Sequence, residues 1–299
     1  MKIRKKNYFA NEYLGRTLVT FCGILMVLTT IMIIFFIVGK GIQSFTKSHI
    51  SLFEMLFSPD WRPNDAQNPS YGALKFITGS IVVSIGAVII AAPIAIALAI
   101  FMNYISPIFG DKILKPVLEI LVGIPSVVYG FLGVSILVPI IRNHIGGVGF
   151  SLIAGIVVLS IMILPTIASI ASDAIRAVPK DYLEASYGLG STRWQAISKA
   201  IVPAATINVL TGVVLGLARA FGEALAVQMV IGNTLQFPKS IFDPTVTLTG
   251  ILTMDMANTM NGTPWNNALW SLAMILLFIS FLFILLIRLI GKRKGGQAL

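Results

Sequence analysis

The sequence predicts an all-α protein that crosses a membrane about six times. Apolar residues make up 56% of the 299 positions and charged residues only 11%, and the mean hydropathy is +0.89. A soluble domain of this length would carry more charge on its surface. Several apolar runs exceed the roughly 18 continuous residues that indicate a membrane-spanning helix, whereas the strands of a membrane barrel would alternate apolar and polar residues.

Six spans are predicted, at about 17–39, 73–102, 114–141, 148–172, 202–232 and 267–290. The first holds about 22 apolar residues, more than the roughly 7–15 of a signal peptide, so we predict a retained helix. It contains Cys22, the single cysteine, which predicts neither a disulfide nor a metal site. The domain organisation follows: a tail, first span and outer loop at 1–72, a membrane core at 73–290, and a basic tail at 291–299.

The net charge of +10 is explained by membrane topology. With the N-terminus placed in the cytoplasm, the cytoplasmic segments hold fifteen Lys and Arg residues and the outer segments hold six. Excess positive charge on cytoplasmic loops orients membrane proteins, so both termini are predicted to be cytoplasmic. The basic ends are topology anchors, with contact to anionic lipids as a secondary role and none with nucleic acid.

The stretch GIPSVVYGFLG, residues 123–133, is unusual for a membrane helix because it combines three glycines with Pro125, Ser126 and Tyr129. Small residues let helices approach closely, and hydroxyl groups can hydrogen-bond across an interface. Two interpretations are open: helix packing, or a substrate-facing role for Ser126 and Tyr129. Prolines within the spans predict bent helices at Pro93, Pro125, Pro139 and Pro165.

Residues 172–203, between the fourth and fifth spans, predict two short cytoplasmic helices joined by glycine. Asp181 to Tyr187 is amphipathic, Gly188 and Gly190 interrupt it, and Ser191 or Thr192 can cap the second helix. Such a pair is either an interfacial hairpin anchored by Trp194 or a docking knob for a cytoplasmic partner.

This segment, EASYGLGSTRWQAISKAIVP, resembles the EAA signature of ABC importer permeases. Glu184, Ala185, Gly190 and Pro203 match the signature, while Ser186, Ala200 and Val202 stand at its third Ala, its Ile and its Leu. The resemblance implies coupling helices at about 178–200 that insert into a cleft of the ATP-binding subunit. It implies a polar contact for Glu184 and a sharp turn at Gly190, with Ala185 and Arg193 in the same coupling segment.

The resemblance covers about 70–290 and narrows to the permeases of phosphate-specific (Pst) importers. Four stretches carry this resemblance: YGALKFITGS, GIPSVVYGFLG, ILPTIASIASDAIRAVP and RAFGEALAVQMVIGN. The last of them resembles the C-type permease. Ala224 stands where that family often has Thr, so a hydroxyl beside Glu223 is missing.

That family implies a type I ABC importer permease core that moves phosphate by alternating access in a bacterial or archaeal cytoplasmic membrane. Its implied partners are a sibling A-type permease, a homodimeric ATP-binding subunit and an extracytoplasmic phosphate-binding protein. No catalytic residue, metal site or bound cofactor is expected in this chain, since ATP and Mg are used by the partner ATPase. The sequence agrees with this expectation, because it contains no phosphate-binding loop of the pattern G-x-x-x-x-G-K-[ST]. The Gly-Lys pairs nearest to that pattern, Gly39-Lys40 and Gly291-Lys292, do not fit it.

Two charges stand out in the fifth span, Arg219 and Glu223. If residues 202–232 form one helix, both charges lie on a face made mostly of small or polar residues. The other residues of this face are Asn208, Gly212, Leu215, Gly216, Gly222, Ala226, Val230 and Asn233. Arg219 lies about 22 Å along that helix from Ala204, where an Arg costs roughly 2.5–3.5 kcal/mol on insertion scales. Such a face is expected against protein or water.

Two interpretations of the charges compete. Glu223, four residues on, can reach Arg219, and the pair would then lock the helix to its neighbours. Alternatively, the guanidinium binds an anion, because its planar donor fork matches phosphate oxygens, and Glu223 holds the fork and limits how tightly the anion binds. Asn208, Ser126 and Tyr129 are further candidates for this pathway.

Other functions also stay open. Sulfate and molybdate suit a guanidinium as well as phosphate does. A stand-alone secondary anion carrier should show an inverted repeat with broken helices in both halves, and no convincing self-similarity is seen. A membrane scaffold without transport would not need a charged stripe of small residues.

Overall fold

The computed structural model describes residues 6–65 and 67–295. In chain order they form α1 (Lys6–Gly41), α2 (Gln43–Thr46), α3 (Leu52–Phe57), β1 (Trp61–Arg62), β2 (Ser70–Tyr71), α4 (Leu74–Ile100), α5 (Pro107–Phe109), α6 (Lys115–Gly123), α7 (Ser126–Leu132), α8 (Val138–His144), α9 (Leu152–Arg176), α10 (Lys180–Gly188), α11 (Arg193–Ala196), α12 (Val202–Gly222), α13 (Leu225–Ile231), α14 (Leu248–Asp255) and α15 (Pro264–Gly295). Short π-helical turns lie at Phe101–Ile105, Gly110–Leu114, Gly133–Leu137 and Ile197–Ile201, and a 3-10 turn at Met256–Asn258.

The predicted all-α class is confirmed, since the only strands in the described part of the chain are β1 and β2. These strands have two residues each and pair antiparallel. Six helical segments there are long and apolar enough to cross a membrane: Gly15–Thr46, Leu74–Ile105, Ser126–His144, Leu152–Arg176, Arg193–Gly222 and Pro264–Leu285. The last helix continues through Gly295, into the predicted tail. The anchors predicted at Lys2, Arg4 and Lys5 lie outside the described residues.

Two predicted spans are not continuous helices. The span predicted at 114–141 is interrupted at Ile124 and Pro125, whose extended backbone separates α6 from α7. The span predicted at 202–232 is interrupted at Glu223 and Ala224, between α12 and α13. A hydropathy profile does not detect either break, because the residues on both sides are apolar.

The core is built on α9, which packs against α4, α12 and α13. The α4 side of this contact is a row of fully buried alanines, Ala87, Ala91, Ala95 and Ala99. Alanines four residues apart lie on one helix face and let two backbones come close together. This tight α4–α9 pair fixes the position of α9, which carries part of the candidate site.

Helix α12 lies between α9 and α15. Gly212 and Gly216 face α9, and a Cβ added at Gly216 would lie 2.5 Å from the Cγ1 of Ile167. On the α15 side, the rings of Phe221 and Phe283 pack edge to face at 5.6 Å. The small residues predicted to face protein therefore do so at Gly212 and Gly216, whereas Leu215 and Asn208 are exposed.

The last part of α1 and the short helix α2 that follows it pack on α15 of the same chain. Phe36 packs edge to face on Trp270 at 5.3 Å, and Ser44 Oγ donates a hydrogen bond of 2.8 Å to the carbonyl of Asn267. The side chains from Gly15 to Ile34 are exposed. Contacts with the permease core are therefore seen at the end of the first helix.

One end of the bundle carries a folded cap, which we define as residues 42–65, 67–72 and 247–263. Its core contains Trp61, whose ring packs at 5.4 Å against Phe76. Helix α14 enters this end of the bundle as a short helix whose first half is buried, and the backbone N–H of Leu248 donates to Ser80 Oγ at 2.8 Å. The opposite end carries the knob, defined as residues 177–201.

Candidate functional site

Arg219 lies in the last turn of α12 and reaches across to α9. Its Nη1 donates a hydrogen bond of 2.9 Å to Thr166 Oγ1. Thr166 is near the middle of α9, so the guanidinium lies near the middle of the bundle. The side chain of Arg219 is half-buried. The carbonyls at the end of α12 favour a cation there.

Glu223 does not pair with Arg219, so the predicted ion pair is wrong. The ion pairs in the described residues are Arg62–Asp60 and Arg176–Asp111. The reason is the helix break: Glu223 is extended at φ −72° and ψ 127°, which removes the i,i+4 geometry of a continuous helix. Among the described residues, Arg219 is therefore left with a neutral partner, Thr166, and no carboxylate.

Glu223 instead satisfies the backbone groups that the break sets free. Its Oε1 accepts a hydrogen bond of 3.2 Å from the N–H of Ala226, in the first turn of α13. Its own carbonyl accepts a bond of 2.9 Å from Thr249 Oγ1 of α14. Free N–H groups at a helix start are usually satisfied by side-chain oxygens in this way. Glu223 thus joins α12, α13 and α14.

The second break is closed by Tyr129. Its hydroxyl donates a hydrogen bond of 2.9 Å to the carbonyl of Leu121, across the interruption between α6 and α7, and its side chain is buried. Ser126 is half-buried at the start of α7 and makes no side-chain hydrogen bond within the described residues. Helix α7 packs against α13, with Gly130 facing Ala226, so the two breaks belong to one region.

Asn208 is not part of this cluster. It precedes Arg219 by about 16 Å along α12, at ~1.5 Å per residue, and its side chain is exposed. Two polar residues that the sequence did not single out are part of it: Thr166 and Thr249. Thr166 follows Pro165 inside a membrane helix, and this Pro-Thr pair is the signal that could have pointed to it.

The knob has the predicted form of two short helices joined by glycine. Gly190 has φ +80°, in the left-handed region that favours glycine, and nothing lies within 4 Å of a Cβ built there. Thr192 forms a capping box with Gln195 at the start of α11. Arg176, at the end of α9, ion-pairs with Asp111 at 2.5 Å and so holds the base of the knob.

The residues predicted to couple to an ATPase are all exposed on the knob. Glu184 and Ala185 lie on α10, Gly190 lies in the turn, and Arg193 starts α11. Large apolar side chains are exposed beside them: Tyr182, Tyr187, Leu189 and Trp194. Leu189, at 88% exposure, is not covered by any part of the described chain. Exposed apolar groups rimmed by polar ones are typical of a binding surface.

The cap contains a cavity of about 470 Å³, lined by Trp61, Arg62, Pro63, Asn64, Asp65, Leu235, Asp255 and Trp265. Burial raises the pKa of the Asp255 carboxyl. None of the predicted pathway residues lines this cavity. Within the described residues, no three His, Cys, Asp or Glu side chains are placed to hold a metal ion.

Known proteins are similar to this chain over most of its length. Residues 91–296 match the family described as binding-protein-dependent transport system inner membrane component. The chain is 53% identical to the probable ABC transporter permease protein YqgH of Bacillus subtilis (strain 168), over 97% of this chain and 94% of that protein. It is 34% identical to the phosphate transport system permease protein PstC of Pasteurella multocida (strain Pm70), over 82% of each.

The fold is shared with a solved transporter. A chain of the bacterial alginate ABC transporter, crystallised with an alginate pentasaccharide-bound periplasmic protein, superposes with a TM-score of 0.63. The match covers 97% of this chain and 98% of that chain at 16% sequence identity. At this identity the likeness shows a common fold and says nothing about the transported solute.

Proposed function

Since this chain belongs to the family of binding-protein-dependent transport system inner membrane components, it is a permease subunit of an ABC importer, and we propose that it imports inorganic phosphate. ATP hydrolysis in this family resides in a separate ATPase subunit, so the chain is not an enzyme. This membership also removes the stand-alone secondary carrier from consideration, although the bundle contains two broken helices.

The observation that carries the proposal is the guanidinium of Arg219. It lies inside the bundle with one neutral acceptor, Thr166, and its remaining N–H groups have no partner within the described residues. A cation inside a membrane protein is costly unless an opposite charge accompanies it. A phosphate ion supplies that charge, and its oxygens fit the donor fork of the guanidinium.

Glu223 has a second part in the proposal. Its Oε1 is held by Ala226, so the carboxylate stays near the break and repels an anion bound at Arg219. An ion that is bound too tightly would not leave the pathway, so this repulsion allows release. Ser126, at the neighbouring break, and Asn208, on the exposed face of α12, would line the same route.

The proposed function also implies partners, and the exposed knob and the folded cap are surfaces on which two of them could dock. We place a sibling A-type permease beside this chain, a homodimeric ATP-binding subunit on the knob, and an extracytoplasmic phosphate-binding protein at the cap. Both termini are then cytoplasmic, in the cytoplasmic membrane of a bacterium or archaeon, and ATP with Mg is used by the ATPase. Alternating access moves the ion past Arg219.

The test of the pathway is Arg219→Gln in the assembled importer, reconstituted in vesicles. We expect phosphate uptake below about a tenth of wild type, because losing one charged partner of a buried contact costs about 2 kcal/mol or more. Assembly is checked by co-purification of the subunits. An assembled variant that imports phosphate normally would disprove the pathway.

Competition assays decide the substrate. Phosphate uptake by the wild-type importer is measured with excess sulfate or molybdate. We expect little inhibition by either oxyanion. If sulfate or molybdate is imported in place of phosphate, the chain serves that oxyanion and the phosphate assignment is wrong.

The docking role of the knob is tested by Gly190→Ala with Gly188→Ala as a matched control. Both positions have open space, but only Gly190 has a positive φ, where an L side chain costs roughly 1–2 kcal/mol. We expect Gly190→Ala, like Glu184→Ala, to separate ATP hydrolysis from uptake, and Gly188→Ala to behave as wild type. Normal coupling in the Gly190 and Glu184 variants would contradict the docking role.

A further inference from the structure

Thr166 differs from many threonines of the described helices in how it uses its hydroxyl. The hydroxyl of a helical threonine commonly donates a hydrogen bond to the backbone carbonyl four residues earlier. In this chain that bond is made by Thr29, Thr30, Thr78, Thr206, Thr211 and Thr253. Thr166 makes no such bond. Its oxygen accepts from Arg219 Nη1 at 2.9 Å, and its own proton has no acceptor within the described residues.

The contact leaves Arg219 both oriented and charged. A carboxylate partner would occupy two of the guanidinium N–H groups and neutralise the cation. The hydroxyl of Thr166 occupies one N–H group and leaves the charge in place. Because hydrogen bonds in series polarise one another, a hydroxyl that accepts from a guanidinium becomes a better donor.

We propose that Thr166 is a binding residue of the anion pathway: it fixes the guanidinium of Arg219 and donates its own hydroxyl proton to the same oxyanion. The inference rests on the proposed function, because it assumes that Arg219 meets the transported anion. A tetrahedral oxyanion has several acceptor oxygens, so the free N–H groups of Arg219 and the hydroxyl of Thr166 can bind different oxygens of one ion.

The experiment compares Thr166→Val with Thr166→Ser in the complete importer reconstituted in vesicles. Valine keeps the shape of threonine and removes the hydroxyl, whereas serine keeps the hydroxyl. We expect Thr166→Val to lower phosphate uptake about tenfold and Thr166→Ser to stay within about twofold of wild type. The matched control is Thr206→Val, whose hydroxyl bonds the carbonyl of Val202 at 2.9 Å and faces no part of the site. We expect wild-type uptake from it.

A second measurement separates a role through Arg219 from a general effect on α9. Thr166→Val is combined with Arg219→Lys, which keeps the charge and changes the donor geometry. If Thr166 acts with Arg219, adding Thr166→Val to the Arg219→Lys importer lowers uptake by less than about twofold. The same tenfold loss in both backgrounds would overturn the proposal.

The outcomes also separate this inference from the proposed function. Normal uptake by Arg219→Gln would overturn the pathway and Thr166 with it. Loss of uptake in Arg219→Gln, together with normal uptake in Thr166→Val, would overturn only the role of Thr166.

Discussion

The bundle contains two helix breaks, and the protein closes them with different chemistry. Between α6 and α7, the neutral hydroxyl of Tyr129 bonds the carbonyl of Leu121 at 2.9 Å. Between α12 and α13, the carboxylate of Glu223 bonds the N–H of Ala226 at 3.2 Å, and Arg219 lies one turn earlier. Both breaks solve the same problem, since free backbone groups inside a membrane are costly.

The difference shows that a break alone does not require charge. Tyr129 closes its break with a neutral group and stays buried. The α12–α13 break instead carries an anionic cap and, among the described residues, a cation without an ionic partner. The charges at this break therefore do more than satisfy the backbone, and substitutions at the two breaks should have separable effects on stability and transport.

The largest difference between the effect on stability and the effect on transport is expected for substitutions of Glu223. Gln keeps an oxygen that can accept from Ala226 and removes the charge, whereas Ala removes both. We expect Glu223→Gln to keep wild-type thermal stability but lose about tenfold in phosphate uptake, because the anion is released too slowly from Arg219. Glu223→Ala should lose uptake and also about 1 kcal/mol of stability, the usual cost of a lost cap.

Both variants are measured in one preparation, by thermal unfolding of the purified importer and by uptake in vesicles. Wild-type uptake by Glu223→Gln would mean that Glu223 serves only as a cap. The two breaks would then differ in chemistry and not in function.

Local patterns predicted the parts of the fold that local forces determine. The six spans follow from hydropathy, and the knob follows from Gly190 and the cap residue Thr192, whose signals lie within a few residues of their effects. The breaks depend on distant partners. The Glu223 carbonyl is satisfied by Thr249, 26 residues later, and no local pattern reveals that contact.

The sequence predicts only part of the candidate site, for the same reason. Arg219 stands out because charge is rare in an apolar run. Its partner does not: Thr166 is 53 residues away and meets Arg219 only because α12 packs on α9. A continuous helix over 202–232 would also place Glu223 against Arg219, and the break at Glu223 makes that predicted pairing wrong.

A smaller effect is expected for a substitution of Tyr129, which should lower stability and leave transport nearly unchanged. Phe keeps the ring and leaves the buried carbonyl of Leu121 without its donor, which costs about 1 kcal/mol or more. We expect Tyr129→Phe to lower the thermal unfolding temperature by a few degrees, with uptake per folded importer within about twofold of wild type. A large loss of uptake at unchanged stability would instead place the Tyr129 hydroxyl in the pathway.

The smallest effect is expected at Ser126, which lies at the neutral break but takes no part in closing it. Its hydroxyl makes no hydrogen bond within the described residues, so Ser126→Ala should change stability by less than about 0.5 kcal/mol. If the hydroxyl faces the pathway, uptake should fall by about twofold to threefold, since one neutral hydrogen bond to the moving ion is lost. The matched comparison is Tyr129→Phe, which removes a hydroxyl from the same helix at a cost in stability and not in transport. Uptake equal to wild type in Ser126→Ala would restrict the pathway to the charged break, where Arg219 and Thr166 meet.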